Sequence, residues 1–382
     1  MKRWPINFSL DITFQPWQEI DDATVGDLYR LEDEALLANA YLSPGFILPA
    51  LEHLKHSASV VLAKAVHDSQ LVGAVFLQLS KRSRSVPFFH LELYRSKHSP
   101  MTGFVLHQDY ADWVLPKMLD AIFTWQRSCR VVEIVQMQED DVWNRFLQRD
   151  NGDRINKWTE YEGYNRRIFR PKFGGDEYIH NFFSKKLRHD LARTRNRLAE
   201  LGKMEWRVVR GESEWHSHIQ RFLELENLGW KGQQKTSLLC NPNDLCFFNK
   251  LVANFTRNQR LFLTELLLDG QIIATTINLV SKSTGFGFKL AWDPRFAKYS
   301  PSILNIVELI RQGPDQLADL EYIDSASLPG SYIEHLFKDS ITIISGSLTR
   351  RDLATFVIHR IQNVRSAMAR LRSDRSLKVS PA

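Results

Sequence analysis

The sequence predicts an α+β protein made of two tandem copies of one unit, followed by a basic amphipathic helix. Three observations lead there. At 382 residues the chain is too long for one comfortable hydrophobic core and about right for two domains of roughly 150–200 residues each. A stretch beginning near residue 60 recurs near residue 261. Around both stretches, runs with strand and helix character follow one another in the same order.

Residues 60–81 (VVLAKAVHDSQLVGAVFLQLSK) match residues 261–282 (LFLTELLLDGQIIATTINLVSK) at a constant offset of 201. Leu62, Asp68, Gln70, Ser80 and Lys81 recur as Leu263, Asp269, Gln271, Ser281 and Lys282. Each stretch reads as two apolar strands joined by a tight polar turn, His67-Asp68-Ser69 in one and Asp269-Gly270 in the other, which is a hairpin signal. Lys97, Ser99 and Pro100 then recur as Lys298, Ser300 and Pro301 at the same offset. Upstream, Leu31-Glu32 corresponds to Leu225-Glu226 at an offset of 194, so the intervening loop is longer in the second copy. The order in each copy is helix, hairpin, strand, Ser-Pro loop, helix, strand, with VVEIVQM (131–137) and LEYIDSA (320–326) as last strands.

Between the copies, Phe183, Leu187, Leu191, Thr194, Leu198 and Leu201 are spaced by three and four, a helix with one apolar seam. Lys185, Lys186, Arg188, Arg193, Arg195 and Arg197 occupy its other faces, and Gly202 is expected to stop it. RPKFGGDE, with its Pro and paired Gly, marks the boundary. The expected domains are 1–168, 169–345, and 346–382 as an Arg-rich helix and tail. In that last segment Leu353, Phe356, Val357, Ile361, Val364, Met368 and Leu371 form an apolar stripe.

Residues 346–382 carry eight basic residues against two acidic ones, which equals the net charge of +6 of the whole chain. Residues 1–345 are therefore neutral, and the basic pI does not imply a global nucleic-acid-binding surface. No apolar run is long enough for a membrane helix and the first residues lack a signal-peptide core, so a cytoplasmic location is expected. Cys129, Cys240 and Cys246 lack the pairing of a zinc or redox motif, and are expected to be reduced, with no metal. A phosphate-binding GxxxxGK[ST], a GxSxG elbow and an HExxH motif are all absent, which leaves nucleotide-loop, triad and metalloprotease chemistry without support.

Three places can carry chemistry. The loop from Trp292 to Ser302 ends in Ser300-Pro301, an N-cap and first-turn pair, so a helix starts there with free N–H groups beside Arg295 and Lys298, a setting that attracts phosphate. In FLELENLGWKG, Trp230 and Lys231 sit between two glycines and follow Glu224 and Glu226; the alternative to a pocket wall is simple packing of Trp230 with Lys231 in solvent. Asp324 and Lys289 are charges in apolar strands, either paired with each other or facing a cleft.

With those segments in view, the chain resembles the CelD-like acetyltransferases of the GNAT superfamily, and the wider Fem-type tandem-GNAT proteins. The matching stretches are KKLRHDLARTRNRLAELG (185–202), FLELENLGWKG (222–232), FGFKLAWDPRFAKYSPSILN (286–305) and YIDSASLPGSYIEHLF (322–337). The resemblance implies two GNAT folds, with the pantetheine of acyl-CoA in a splayed sheet and its pyrophosphate at a helix N-terminus; the first copy, which has nothing matching Trp230-Lys231-Gly232, is expected to be a degenerate one that shapes the cleft. That maps cofactor contacts onto Lys289, Arg295, Lys298, Ser300 and Ser302, the last standing where the family has glycine. It implies acyl transfer from acyl-CoA, acetyl-CoA above all, to an amine such as an amino sugar or polysaccharide precursor. Glu226 or Asp324 would be the base, Tyr332 the acid, and Trp230 and Lys231 the acceptor wall. Two other readings remain: a Fem-type aminoacyltransferase drawing on tRNA through the basic helix, and a non-catalytic subunit of a polysaccharide synthase complex.

Overall fold

The run LFLTELLL has no polar alternation, and Leu261–Leu268 is buried along its whole length, as a strand covered on both faces must be. The computed structural model describes residues 9–54, 59–148, 157–211 and 215–349. In chain order the elements begin β1 (Asp11–Pro16), α1 (Asp22–Asp33), α2 (Pro44–His53), β2 (Val60–His67), β3 (Gln70–Ser80), β4 (His90–Leu93) and β5 (Val105–Leu106). They continue α3 (Ala111–Trp125), β6 (Val131–Gln138), α4 (Asp141–Gln148), β7 (Lys157–Phe169), α5 (Asp176–Phe182), α6 (Lys185–Ala199), β8 (Met204–Val209), α7 (Trp215–Leu228) and α8 (Trp230–Gln233). The last are α9 (Pro242–Arg257), β9 (Leu261–Leu268), β10 (Gln271–Ser281), β11 (Thr284–Trp292), α10 (Pro301–Gln316), β12 (Tyr322–Asp324) and β13 (Asp339–Thr349).

These elements fall into two units, neither contiguous in sequence. Unit 1 takes the chain up to Leu37, His56–Tyr164 and the chain from Thr342; unit 2 takes Ala38–Lys55 and Asn165–Ile341. In unit 1 the strand order is β1-β2-β3-β4-β6-β13-β7, with β5 beside β3. Helix α3 connects toward β6, which pairs parallel to β4, and its Val114, Met118, Leu119 and Ile122 are buried with Ala63, Val75, Leu77 and Ile134. In unit 2 the end of β7 pairs with β12, and the order continues β11-β10-β9-β8. Helix α10 leads to β12, which pairs parallel to β11, so the two units repeat one plan.

The repeat reaches the backbone register. Both hairpins turn through two residues with positive φ, Asp68 and Ser69 in one, Asp269 and Gly270 in the other, the twist that matches right-handed strands. Each hairpin also slips by one residue, at Val72 and at Ile273, positions related by the same offset of 201.

Helix α2 belongs to unit 2 because its apolar side is aromatic: Phe46 meets Phe247 edge-on, ring centroids 5.4 Å apart, and Asn254 Nδ2 donates to the Gly45 carbonyl at 3.3 Å. Helix α6 starts where Ser184 accepts a hydrogen bond from Leu187 N (3.1 Å) and buries Leu198.

Three local expectations are corrected. Gly202 is not a left-handed helix cap: it lies beyond the end of α6, and an added Cβ would collide with the Asp269 carboxylate, whose Oδ1 accepts from Lys203 N at 2.8 Å. Ser99-Pro100 starts no helix, since α3 begins only at Ala111. Residues 346–349 are the end of β13, paired with β6, and the rest of the segment expected to form the basic helix, 350–382, lies outside the described residues. Among the described residues no helix is long and apolar enough to cross a membrane. The three cysteines are free, with Cys129 buried.

Candidate active site

In unit 2 the parallel pairing of β11 with β12 is short. It runs through Thr284 with Tyr322, Gly285 with Ile323 and Phe286 with Asp324, and stops there, while β11 continues to Trp292. On its other edge β11 pairs with β10 through a register shift that leaves Phe288 as the extra residue. Such a bulge twists a strand away from its neighbour. A cavity of about 400 Å³ follows β11 past this point, in the size range of ligand pockets. Its walls include Gly287 to Leu290 and Trp292 from β11, Ile323 to Ser327 from the end of β12 and just beyond it, Ile306 and Leu309 from α10, and Trp230 and Lys231.

Asp324 closes the paired segment and lines the cavity while being fully buried. Its ion-pair partner is Arg166 of β7, Nη1 to Oδ2 3.6 Å, also fully buried, so the expected pairing with Lys289 is replaced by one from the strand on the other side. Asp324 Oδ1 accepts from Ala326 N at 2.7 Å, which holds Ala326 at φ 53°, a strained conformation for a residue with a Cβ. Oδ2 accepts no hydrogen bond among the described residues. Burial pushes the Asp324 carboxyl above its ordinary value, against the pull of Arg166. Tyr41, buried and with its phenol pushed upward by desolvation and then by Asp324, donates to the Gly287 carbonyl at 2.9 Å. Lys289 lines the cavity half-buried, its Nζ 5.2 Å from the centre of the Phe288 ring.

Glu226 is buried and both of its oxygens are used: Oε1 accepts from Lys231 Nζ at 2.8 Å and Oε2 from Leu238 N at 2.9 Å. The carboxylate thereby ties the segment after α7 back onto that helix. Gly232 is required there by close approach, since a Cβ would overlap the Asn227 carbonyl. The outcome is that Trp230, 57% exposed, and Lys231 stand at the cavity rather than in the core. Glu32, the repeat mate of Glu226, is likewise buried in unit 1.

The Ser-Pro loop is built around Asp293, which is fully buried and accepts from Arg295 at its backbone N (3.0 Å) and its guanidinium (Nη2, 2.6 Å). Those Arg295 hydrogen bonds hold the Asp293 carboxyl below the usual carboxylate range, with Arg221 adding to the effect. Ser300 sits at the N-cap of α10 with φ 47° and makes no side-chain cap, unlike the capping serine expected; Ile303 N and Leu304 N bond its carbonyl instead. Lys298 is exposed over the Tyr299 ring and Ser302 is half-buried in the first turn. None of Arg295, Lys298, Ser300 and Ser302 lines the cavity, whereas Ile306 and Leu309 of the same helix do. Tyr332 lies on a short turn with its ring exposed; its neighbours Ser331 and Ile333 line the cavity and it does not.

Sequence reasoning passed over Arg166, Tyr41 and Asn305. Arg166 had a signal, a charge inside the strand-like YNRRIF. Asn305 had another, an amide on the apolar side of ILNIVELI: it is fully buried, accepts from Trp206 Nε1 (2.8 Å) and donates to Thr264 and Thr276, fastening α10 to β9 and β10. Tyr41 had none, because only the fold brings it to β11.

The sequence profile of the acetyltransferase (GNAT) domain matches residues 185–326. No curated protein matches the sequence. Among solved structures, FemX aligns with a TM-score of 0.53 at 12% identity, over 89% of this chain and 98% of its own. A conserved protein of unknown function from Bacteroides thetaiotaomicron aligns with a TM-score of 0.51 at 13% identity, over 88% and 99%. A tandem GNAT protein from the clavulanic acid biosynthesis pathway aligns over 89% and 98% at 11% identity, with a TM-score of 0.43. Residues 185–326 thus match a GNAT acetyltransferase domain, the two units repeat one fold plan, and the chain is an acyltransferase.

Proposed function

We propose that unit 2 transfers an acyl group from acyl-CoA, acetyl-CoA in the first instance, to a primary amine on a small acceptor. The observation that carries this is the end of β11–β12 pairing at a buried acid, with a cavity along the unpaired part of β11. A thioester arm laid there would meet backbone groups of β11 that β12 no longer occupies, the kind of fixed dipoles that stabilise an oxyanion. Acyl-CoA enters with its pyrophosphate toward the start of α10, where Arg295, Lys298, Ser300 and Ser302 are gathered on one loop.

In this reading Asp324 accepts the proton of the acceptor amine, the nitrogen attacks the thioester carbonyl, and the C–S bond breaks to give an amide and a CoA thiolate. Tyr332, between the cavity-lining Ser331 and Ile333, returns a proton to the sulfur by turning in from its exposed position. A carboxylate whose affinity for protons is raised by burial is a better base than one in water. Trp230 and Lys231 form the acceptor wall, and Glu226 positions them. An aromatic face beside polar groups suits a sugar ring, so the acceptor class is an amino sugar or a polysaccharide precursor of the kind CelD-like enzymes serve, acylated in the cytoplasm.

Transfer from tRNA would need the basic faces of α6 to track a phosphate backbone. Three of those cations are engaged within the protein: Arg188 donates to the His180 carbonyl, Arg193 pairs with Asp190, and Arg195 pairs with the buried Glu308. That favours the acyl-CoA reading.

The test is calorimetric titration with acetyl-CoA, followed by thiol release with a panel of amines including amino sugars. Saturable binding below about 1 mM, with turnover abolished in Asp324→Asn, is expected. A folded protein that binds no acyl-CoA in that range would overturn the reading.

A further inference from the structure

No metal motif is visible in the sequence, yet unit 1 assembles a set of metal-type donors on one face of its sheet. His90 and Glu92 are two residues apart on β4 and point the same way, and Glu133 of β6 stands opposite Glu92 in the parallel pair. One donor atom from each lies within 4.8 Å of the other two. His90 and Glu133 are fully buried, at 0% and 2% exposure, and Glu92 is half-buried.

The surroundings orient these donors. His90 Nδ1 is 2.7 Å from the Phe88 carbonyl, so Nδ1 carries a hydrogen and Nε2 faces the carboxylates, 3.2 Å from Glu133 Oε2. Glu133 Oε1 accepts from the Tyr161 hydroxyl at 2.6 Å and from Ser83 Oγ at 2.9 Å, leaving Oε2 turned toward His90. A histidine whose far nitrogen is held by a carbonyl, beside a carboxylate whose far oxygen is held by hydroxyls, is the outer-shell arrangement of metal ligands. At 3.2 Å, His90 Nε2 and Glu133 Oε2 can share a proton when no ion is bound, or turn the same two atoms onto one cation. Two carboxylates and one neutral imidazole balance the charge of one divalent cation.

We propose that unit 1 binds a divalent transition-metal ion, zinc or manganese by its mixed nitrogen and oxygen donors, through His90 Nε2, Glu92 and Glu133. In a tetrahedral site with bonds of about 2.0–2.2 Å, donor atoms stand roughly 3.4 Å apart. His90 and Glu133 already have that spacing, and Glu92, on the more open side, closes the remainder. Three protein ligands leave one position for water or an exogenous ligand.

The experiment uses the full chain, dialysed against chelator and then titrated with zinc chloride by calorimetry, with cobalt(II) as a spectroscopic stand-in. One ion per chain, a tetrahedral cobalt absorption band, and at least a tenfold weaker affinity in Glu92→Gln are expected. Glu92→Gln is chosen because its half-buried position leaves the fold intact, which circular dichroism checks; Ser83→Ala, which among the three donors bonds Glu133 alone and otherwise holds the turn at Ser85 and Val86, should weaken binding less. Absence of saturable one-to-one binding by the folded wild type, or equal affinity in wild type and Glu92→Gln, overturns the proposal.

Discussion

Arg166 and Asp324 lie 3.6 Å apart with neither side chain exposed, one from β7 and the other from the end of β12. Removing one member strands a buried charge. Arg166→Met should therefore cost about 3–5 kcal/mol in urea unfolding, while the double variant Arg166→Met, Asp324→Leu should recover most of that loss. An Arg166→Met variant as stable as wild type would mean that Asp324 is uncharged in the folded protein.

The same carboxyl sets a pH dependence. Its folded pKa is raised by burial, so its contribution to stability is present below the unfolded value of about 3.9 and is lost as pH rises through the folded value. The gap between wild type and Asp324→Asn should narrow across that rise, on top of the constant cost of leaving Arg166 unpaired in the variant. As a base Asp324 works deprotonated, so kcat/KM should fall on the acid side with a midpoint above the ordinary carboxylate range. A profile whose acid limb survives in Asp324→Asn would take the base role away from it.

Asp293 has the opposite sign. Arg295 lowers its pKa, so the stabilisation is present above the unfolded value and lost as pH falls through the folded one. Arg295→Ala should lower the melting temperature at neutral pH and lose that difference in acid. It should also weaken acyl-CoA binding through the loop geometry, whereas Lys298→Ala, which leaves Asp293 untouched, should weaken binding at unchanged stability.

Glu226 separates structure from chemistry cleanly. Glu226→Gln keeps an acceptor for Leu238 N and should retain much of both stability and turnover. Glu226→Ala leaves Lys231 and Leu238 N without their partner and should cost about 1–3 kcal/mol, with a raised KM for the acceptor. Full stability with no turnover in Glu226→Gln would return the base role to Glu226.

Trp230 is exposed at the cavity, so Trp230→Ala should change stability by less than about 0.5 kcal/mol. Acceptor kcat/KM should nevertheless drop about tenfold, a loss of roughly 1.4 kcal/mol of transition-state binding. Gly232→Ala, which forces the same segment away from Asn227, should lower both together. Thermal melts beside steady-state kinetics distinguish the two variants.

The duplication, the hairpins and the connecting helix were legible because each rests on local chemistry: the 201-residue offset, the turn residues Asp68-Ser69 and Asp269-Gly270, and the three-and-four spacing from Phe183 to Leu198. The second-copy segments bearing Trp230, Lys231, Lys289 and Asp324 were legible too, as charges and glycines that a plain core would not keep. Partnership was not. Asp324 takes Arg166 rather than Lys289, Glu226 spends both oxygens on its own loop, α2 joins unit 2, and His90 meets a glutamate 43 residues away. A strand or helix declares itself through neighbours in sequence, since periodicity and turn geometry act over a few residues. Which charge neutralises a buried carboxyl depends on which strand lies beside it, and strand order is decided by the packing of the whole sheet.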